Sequence, residues 1–186
     1  SMAHRLANFT GYDENAAIDQ LEYALNVVRE RGGNDVICFD EDLKKQYMRK
    51  EYVLERVKSA IKKQTFEVHF QPLYNSKNNQ FDTAESLIRL KDRDGSFISP
   101  AEFIPLAEKY GLMDEISRQV LEQVGRFLGS NPDLCLEQVS VNIPVGQFLD
   151  EKLEEWIDSV CETYQISASR FRIEITERAM TDQPDR

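Results

Sequence analysis

No stretch of this sequence is apolar for more than a handful of residues, so no segment is expected to span a bilayer as a helix. The opening Ser1-Met2-Ala3-His4 lacks a basic region followed by an apolar one, so no secretory leader is expected, and Ser1 ahead of Met2 reads as the scar of a removed tag. Cysteine is scarce. Cys38, Cys135 and Cys161 are odd in number and far apart, form no C-x-x-C pair and give no disulfide framework, which suits a reducing, cytoplasmic compartment. Positive charge is in deficit as well. The 23 Lys and Arg face 33 Asp and Glu, for a net charge of −10 and a pI near 4.8. That excludes holding long nucleic acids by bulk electrostatics, but not a small phosphorylated ligand in a locally basic or metal-loaded cleft. What is present is globular composition, 41% hydrophobic and 30% charged, which excludes collagen-like and predominantly disordered chains.

Periodicity organises the chain. Ile18, Leu21, Ala24 (or Leu25) and Val28 recur at helical spacing within Glu14–Arg31, and Gly32-Gly33-Asn34 ends that helix. Asp35–Phe39 reads as a short strand. Asp40 then caps a helix carrying Leu43, Tyr47, Leu54, Val57 and Ile61, whose remaining positions, among them Lys44, Lys45, Arg49, Lys50, Lys62 and Lys63, read as a solvated face. From Thr65 the rhythm changes. Thr65–Tyr74 and Phe81–Lys91 are strands joined by the polar turn at 75–80. Ser99-Pro100 with Glu102 marks a helix start with a capping box, and that helix stops at Gly111. A helix over Met113–Leu128, a strand over Leu136–Ile143, a helix over Gly146–Tyr164 and a strand over Phe171–Thr176 follow. Strands alternating with helices imply parallel α/β packing. The last of about four strands ends ten residues before Arg186, so the pattern is expected to stop in mid-rhythm.

Each strand divides into two faces. Phe66, Val68 and Phe70 oppose Glu67, His69 and Gln71. Ala84, Ser86, Ile88 and Leu90 oppose Glu85, Leu87 and Arg89. Val139, Val141 and Ile143 oppose Ser140 and Asn142, and Phe171, Ile173 and Ile175 oppose Arg172, Glu174 and Thr176. Unpartnered buried polar groups cost roughly 1–3 kcal/mol each, and bare charges more. If Glu85, Asn142 and Glu174 converge, a hard divalent cation such as Mg²⁺ or Mn²⁺ would serve them, with Arg89 nearby for a phosphate. The alternative is that these side chains face solvent at strand edges.

Several ordered stretches together resemble an EAL domain, the cyclic di-GMP phosphodiesterase family. Its Glu-Ala-Leu, followed two residues later by Arg, resembles Glu85-Ser86-Leu87-Ile-Arg89. Phe70-Gln71-Pro72 resembles its Tyr-Gln-Pro, and Ser99–Glu108 with Gly111 its Pro-x-x-Phe-Ile-x-x-Ala-Glu segment. Ser140-Val-Asn142 and Glu174-Ile-Thr-Glu177 resemble its next two motifs. The resemblance implies Glu85, Asn142 and Glu174 as metal ligands, with Gln71, Leu87 and Arg89 contacting cyclic di-GMP. It implies Glu177 as a brace beside the metals, grouped with Glu85 as catalytic. In that family two metal ions activate a water that opens the cyclic dinucleotide to a linear one.

Ser86 stands where the family has Ala; alternation places it away from Glu85, so a small packing change is expected. The family's Asp-Asp-Phe-Gly motif, catalytic Lys, later Glu and final Gln have no counterpart among these 186 residues. The resemblance therefore implies an α/β fold that is an incomplete TIM-like barrel, the first half of an EAL domain over residues 65–186, carrying a half-site and inactive alone. Its exposed strand edges would favour a homodimer. Ala24-Leu25 and Arg31-Gly-Gly-Asn34 resemble the end of a GGDEF domain, giving a remnant over 1–40 and a linker helix over 41–64. An EAL module that binds cyclic di-GMP or docks a protein without hydrolysis is the alternative function. The bland readings are a structural hydrogen-bonded His69, a packing Trp156 and a meaningless sequon at Asn8.

Overall fold

The structure, a computed structural model, describes residues 14–33 and 36–176, so Asn8, Asn34, Asp35 and Glu177 lie outside the described residues. The described residues fall into two compact units, divided between Tyr52 and Val53. Among the described residues no helix is long and apolar enough to cross a membrane.

In the first unit, α1 (Glu14–Glu30) ends as its glycines require. Gly32 adopts φ +101°, and the Gly32 and Gly33 amides donate back to the Arg29 and Val28 carbonyls, each at 3.0 Å. The helix buries only part of the stripe its spacing predicts, Ala24 and Val28, and adds Val27. Ala24, Val27 and Val28 are buried, whereas Ile18, Leu21 and Leu25 are exposed. Ala24 and Val27 form a small core with Leu43 of α2 (Glu41–Lys63), and Tyr23, Ile37 and Phe39 pack against it. The start of α2 is as expected, because Asp40 Oδ1 accepts from the Leu43 amide at 2.9 Å. The strand expected over 35–39 is absent from 36–39. A strand needs a neighbour to ladder with, and no described strand of this unit supplies one.

The second unit is built on a sheet. β1 (Glu67–Asn75) and β2 (Gln80–Lys91) form an antiparallel hairpin, and β4 (Gln138–Pro144) and β5 (Phe171–Thr176) continue the sheet in parallel, in the order β1-β2-β4-β5. The parallel steps need crossovers. The first runs through α3 (Pro100–Lys109) and α4 (Met113–Ser130), the second through α5 (Val145–Phe148) and α6 (Lys152–Tyr164). The helices cover the apolar face, where Val139, Val141 and Ile143 are each fully buried alongside Leu90, Phe103, Ile116 and Leu121. Gln123 of α4 ties the helix layer to β1: its Nε2 donates to Phe66 O at 2.9 Å, and its Oε1 accepts from the Val68 amide at 3.2 Å.

Three local expectations are corrected. A further strand, β3 (Phe97–Ile98), pairs antiparallel with Leu90 and Lys91 of β2 across the turn at 92–96, where the Asp92 amide donates to Ser96 O at 2.7 Å. Ser99 makes no side-chain capping bond; Pro100 holds it extended, and its carbonyl accepts from the Glu102 and Phe103 amides instead. The helix expected over 146–164 is two. Gln147 is buried and pinned to α4 by bonds of 2.7 Å to Ser117 Oγ and Asp114 Oδ1, and Asp150 Oδ1 then accepts from the Lys152 amide at 3.1 Å, restarting the chain as α6. The α3 stop is as read: Gly111 takes φ +64° and the Leu112 amide donates to Ala107 O at 2.8 Å.

Helices α4 and α6 approach closely because α4 carries glycines at the crossing. A Cβ on Gly129 would stand 2.7 Å from the Tyr164 carbonyl oxygen, a backbone atom that cannot swing aside. Gly129→Ala gains up to ~1 kcal/mol of helix propensity, yet overpacking outweighs it, and urea unfolding should show a net loss of ~1–3 kcal/mol. Gly146→Ala, whose Cβ meets open space, should be neutral or stabilising. At the hairpin end, Asn75 and Asn78 donate to Asp82 Oδ2 at 2.7 and 2.6 Å. Asn78 first, then Asn75, holds this carboxyl below the ordinary Asp range. A depressed carboxyl stabilises above its unfolded value, about 3.9, and that contribution disappears as pH falls through the lower folded value. Asp82→Asn should therefore flatten the acid limb of stability below about pH 4, read as urea midpoint against pH.

Candidate functional site

Alternation and register decide which side chains meet. On the face away from the helices, Gln71 of β1 stands opposite Glu85 of β2, Glu85 beside Ser140 of β4, and Ser140 beside Arg172 of β5. One pleat further toward the carboxyl ends, His69 stands opposite Leu87, and Asn142 stands beside Glu174. Asn142 Nδ2 donates to Glu85 Oε1 at 3.0 Å. The three residues expected to share a ligand thus occupy three neighbouring strands on one face, Asn142 and Glu174 in the carboxyl-terminal halves of β4 and β5 and Glu85 midway along β2.

The remaining expected residues lie around them. Gln71 is exposed beside Glu85, and Leu87 and Arg89 are half-buried further along β2. Arg89 and Asn142 also line a cleft of about 230 Å³ between the ends of β2 and β4 and helices α3 and α4, with Ile88, Ile104 and Ile116 among its walls. Ser86 faces the helices, as alternation requires. It is buried and donates to Ser140 O at 2.7 Å, so the hydroxyl absent from an alanine is absorbed by the neighbouring strand. Position 177 lies outside the described residues. His69 is hydrogen-bonded, its Nε2 3.4 Å from Glu67 Oε2, and Trp156 is half-buried on α6.

Two features escape a reading by strand faces. Ser140 is 1% exposed and its hydroxyl has no partner, although it sits on the polar face between Glu85 and Arg172. Phe97 of β3 lies against His69 and Lys91. Asp94-Gly95 carried a hairpin signal that locates β3. Nothing local marks Ser140 as buried.

The donor set suits a hard cation. Glu85 and Glu174 offer carboxylate oxygens and Asn142 an amide oxygen, with no sulfur or imidazole among them. Glu174 is half-buried and its side chain makes no hydrogen bond or ion pair with any other described residue, and the Asn142 side chain commits only its amide nitrogen. A divalent cation would complete these oxygens.

Comparison with known proteins places this fold. A probable cyclic di-GMP phosphodiesterase of Escherichia coli K12, PdeB, is 31% identical over 131 residues, covering 68% of this chain and 25% of that protein. The bifunctional diguanylate cyclase/cyclic di-GMP phosphodiesterase MucR of Pseudomonas aeruginosa is 25% identical over 165 residues, covering 86% of this chain and 24% of its own length. The EAL domain of Xanthomonas citri FimX, solved in complex with c-diGMP, superposes with a TM-score of 0.62 at 25% identity, covering 72% of this chain and 52% of that one. The chain thus spans about a quarter of these curated relatives and about half of the solved EAL chain. Its α/β sheet matches part of the barrel-like fold. The EAL domain family model matches residues 54–186, and the chain belongs to that family.

Proposed function

We propose that the polar face of this sheet binds cyclic di-GMP, and that the chain is part of a cytoplasmic GGDEF–EAL signalling protein whose complete site hydrolyses that dinucleotide to its linear form. The observation that carries the reading is the convergence of Glu85, Asn142 and Glu174 on neighbouring strands of one face, with Asn142 bonded to Glu85 at 3.0 Å. Mg²⁺ or Mn²⁺, when bound, would lower the pKa of a water and neutralise charge on the phosphoryl oxygens. The chain's own residues hold and orient. Glu85, Asn142 and Glu174 present oxygens to the cations. The Arg89 guanidinium, which lines the cleft, would offer a planar fork to a phosphate, with Leu87 beside it on β2 and Gln71 opposite Glu85 on β1 contacting the dinucleotide. Glu177 is assigned the bracing role that the motif Glu174-Ile-Thr-Glu177 carries in the family. Association of two copies through β1 and β5, the edge strands of the sheet among the described residues, belongs to the same proposal.

Carrying only part of the family's motifs, the 186-residue chain should bind the dinucleotide weakly and hydrolyse it negligibly. The test is calorimetric titration with cyclic di-GMP in Mg²⁺ or Mn²⁺, run beside a hydrolysis assay on the native chain and Glu85→Ala. Binding that Glu85→Ala weakens, without turnover, supports the proposal. Turnover abolished by Glu85→Ala shows a site complete in this chain or its dimer and contradicts the half-site reading. Binding indifferent to metal and to Glu85 favours a receptor that does not use the metal cluster.

A further inference from the structure

Around Arg89, on β1, β2 and β3, stands a charge arrangement that sheet register alone does not dictate. Glu67 and Arg89 stand directly opposite each other on β1 and β2. Side chains so placed start about 4.5–5.5 Å apart at Cβ, and opposite charges there attract. These two do not pair. Glu67 Oε1 accepts instead from Lys91 Nζ at 2.8 Å, and Oε2 faces His69 Nε2 at 3.4 Å. Lys91, and to a lesser degree His69, holds the Glu67 carboxyl below the ordinary Glu range. Phe97, opposite Lys91 on β3, closes the cluster: its ring lies edge-on to the imidazole at 5.3 Å and 5.8 Å from Lys91 Nζ. Arg89 is left with one side-chain hydrogen bond, Nη1 to Ile88 O at 2.9 Å, and no ion pair with any described carboxylate.

We propose that Lys91, seated on Phe97 and assisted by His69, is a positioning residue that occupies Glu67 and so keeps the Arg89 guanidinium available to a phosphate of the ligand. Carboxylate and phosphate engage an arginine through the same planar fork, so a carboxylate within reach competes directly with the ligand. Glu67 is the carboxylate that the register sets in reach, and Lys91 removes it from the competition. The inference rests on the reading of Arg89 as a phosphate contact.

Two readouts test it, one of them free of ligand. In isotope-labelled protein, the Arg89 Nε–Hε resonance should move in Lys91→Met, as Glu67 turns to Arg89, and return in Lys91→Met/Glu67→Gln. Cyclic di-GMP affinity should fall roughly three- to fivefold in Lys91→Met, the factor of an exposed ion pair competing with the ligand, and recover to within about twofold in the double variant. Lys91→Arg, which keeps a cation on Glu67, should stay near the native affinity. A lysine that merely supports the fold, or that touches the ligand itself, is not rescued by Glu67→Gln. An unrescued loss or an unmoved Arg89 resonance therefore overturns the proposal. If the native chain binds no cyclic di-GMP, the reading of the site fails, while the resonance still decides whether Lys91 withholds Glu67 from Arg89.

Discussion

The register between β2, β4 and β5 is the constraint on which the site depends. Glu85 aligns with Ser140, and Asn142 with Glu174, because Ala84, Val139, Val141 and Ile143 fix the opposite face against the helices. Burying an apolar side chain of this size contributes ~1.5–3 kcal/mol. A slip of one residue would bring those residues to the polar face and turn Glu85, Asn142 and Glu174 into the helix layer, so the apolar core specifies the polar cluster indirectly. These side chains need no strong attraction for one another. Two carboxylates and an amide are held together by packing on the far side of the sheet.

Everything else in the second unit serves that arrangement. Parallel pairing of β2 with β4 and of β4 with β5 requires covered crossovers, and the glycines of α4 let α6 approach to within backbone contact at Tyr164. The hairpin is fastened at one end by Asp82 with Asn75 and Asn78, and at the other by β3 pairing with Leu90 and Lys91. Between these fastenings β1 presents Gln71 beside Glu85, and Glu67 opposite Arg89. The second fastening brings Phe97 to Lys91 and His69, which links a two-residue strand to the electrostatics around Glu67.

Much of this was legible from the sequence because strand alternation is a short-range signal. Period-two patterning accounts for the faces of the long strands except at the end of β5, where Ile175 of the apolar face is exposed, and Asp40 and Gly111 mark helix ends whose bonding is entirely local. What escaped depends on partners remote in sequence. Val36–Phe39 has strand chemistry and no strand to pair with; its side chains Ile37 and Phe39 find the α1–α2 core instead. The break before α6 arises from Gln147 reaching Ser117 and Asp114, thirty or more residues away. The inward stripe of α1 took in Val27 for the same reason, since its partner Leu43 lies beyond the intervening turn. Spacing placed Glu85, Asn142 and Glu174 on polar faces, but only the register brought them to neighbouring positions on one face of one sheet.

The most direct test of this account is paramagnetic broadening of backbone amide resonances on titration with substoichiometric Mn²⁺. The account predicts that the amides of Glu85, Asn142 and Glu174 broaden first and together, ahead of the acidic residues of α6 such as Glu154 and Glu155. Broadening centred on α6, or spread evenly over the many surface carboxylates of this acidic chain, would contradict the claim that the sheet register builds a cation site.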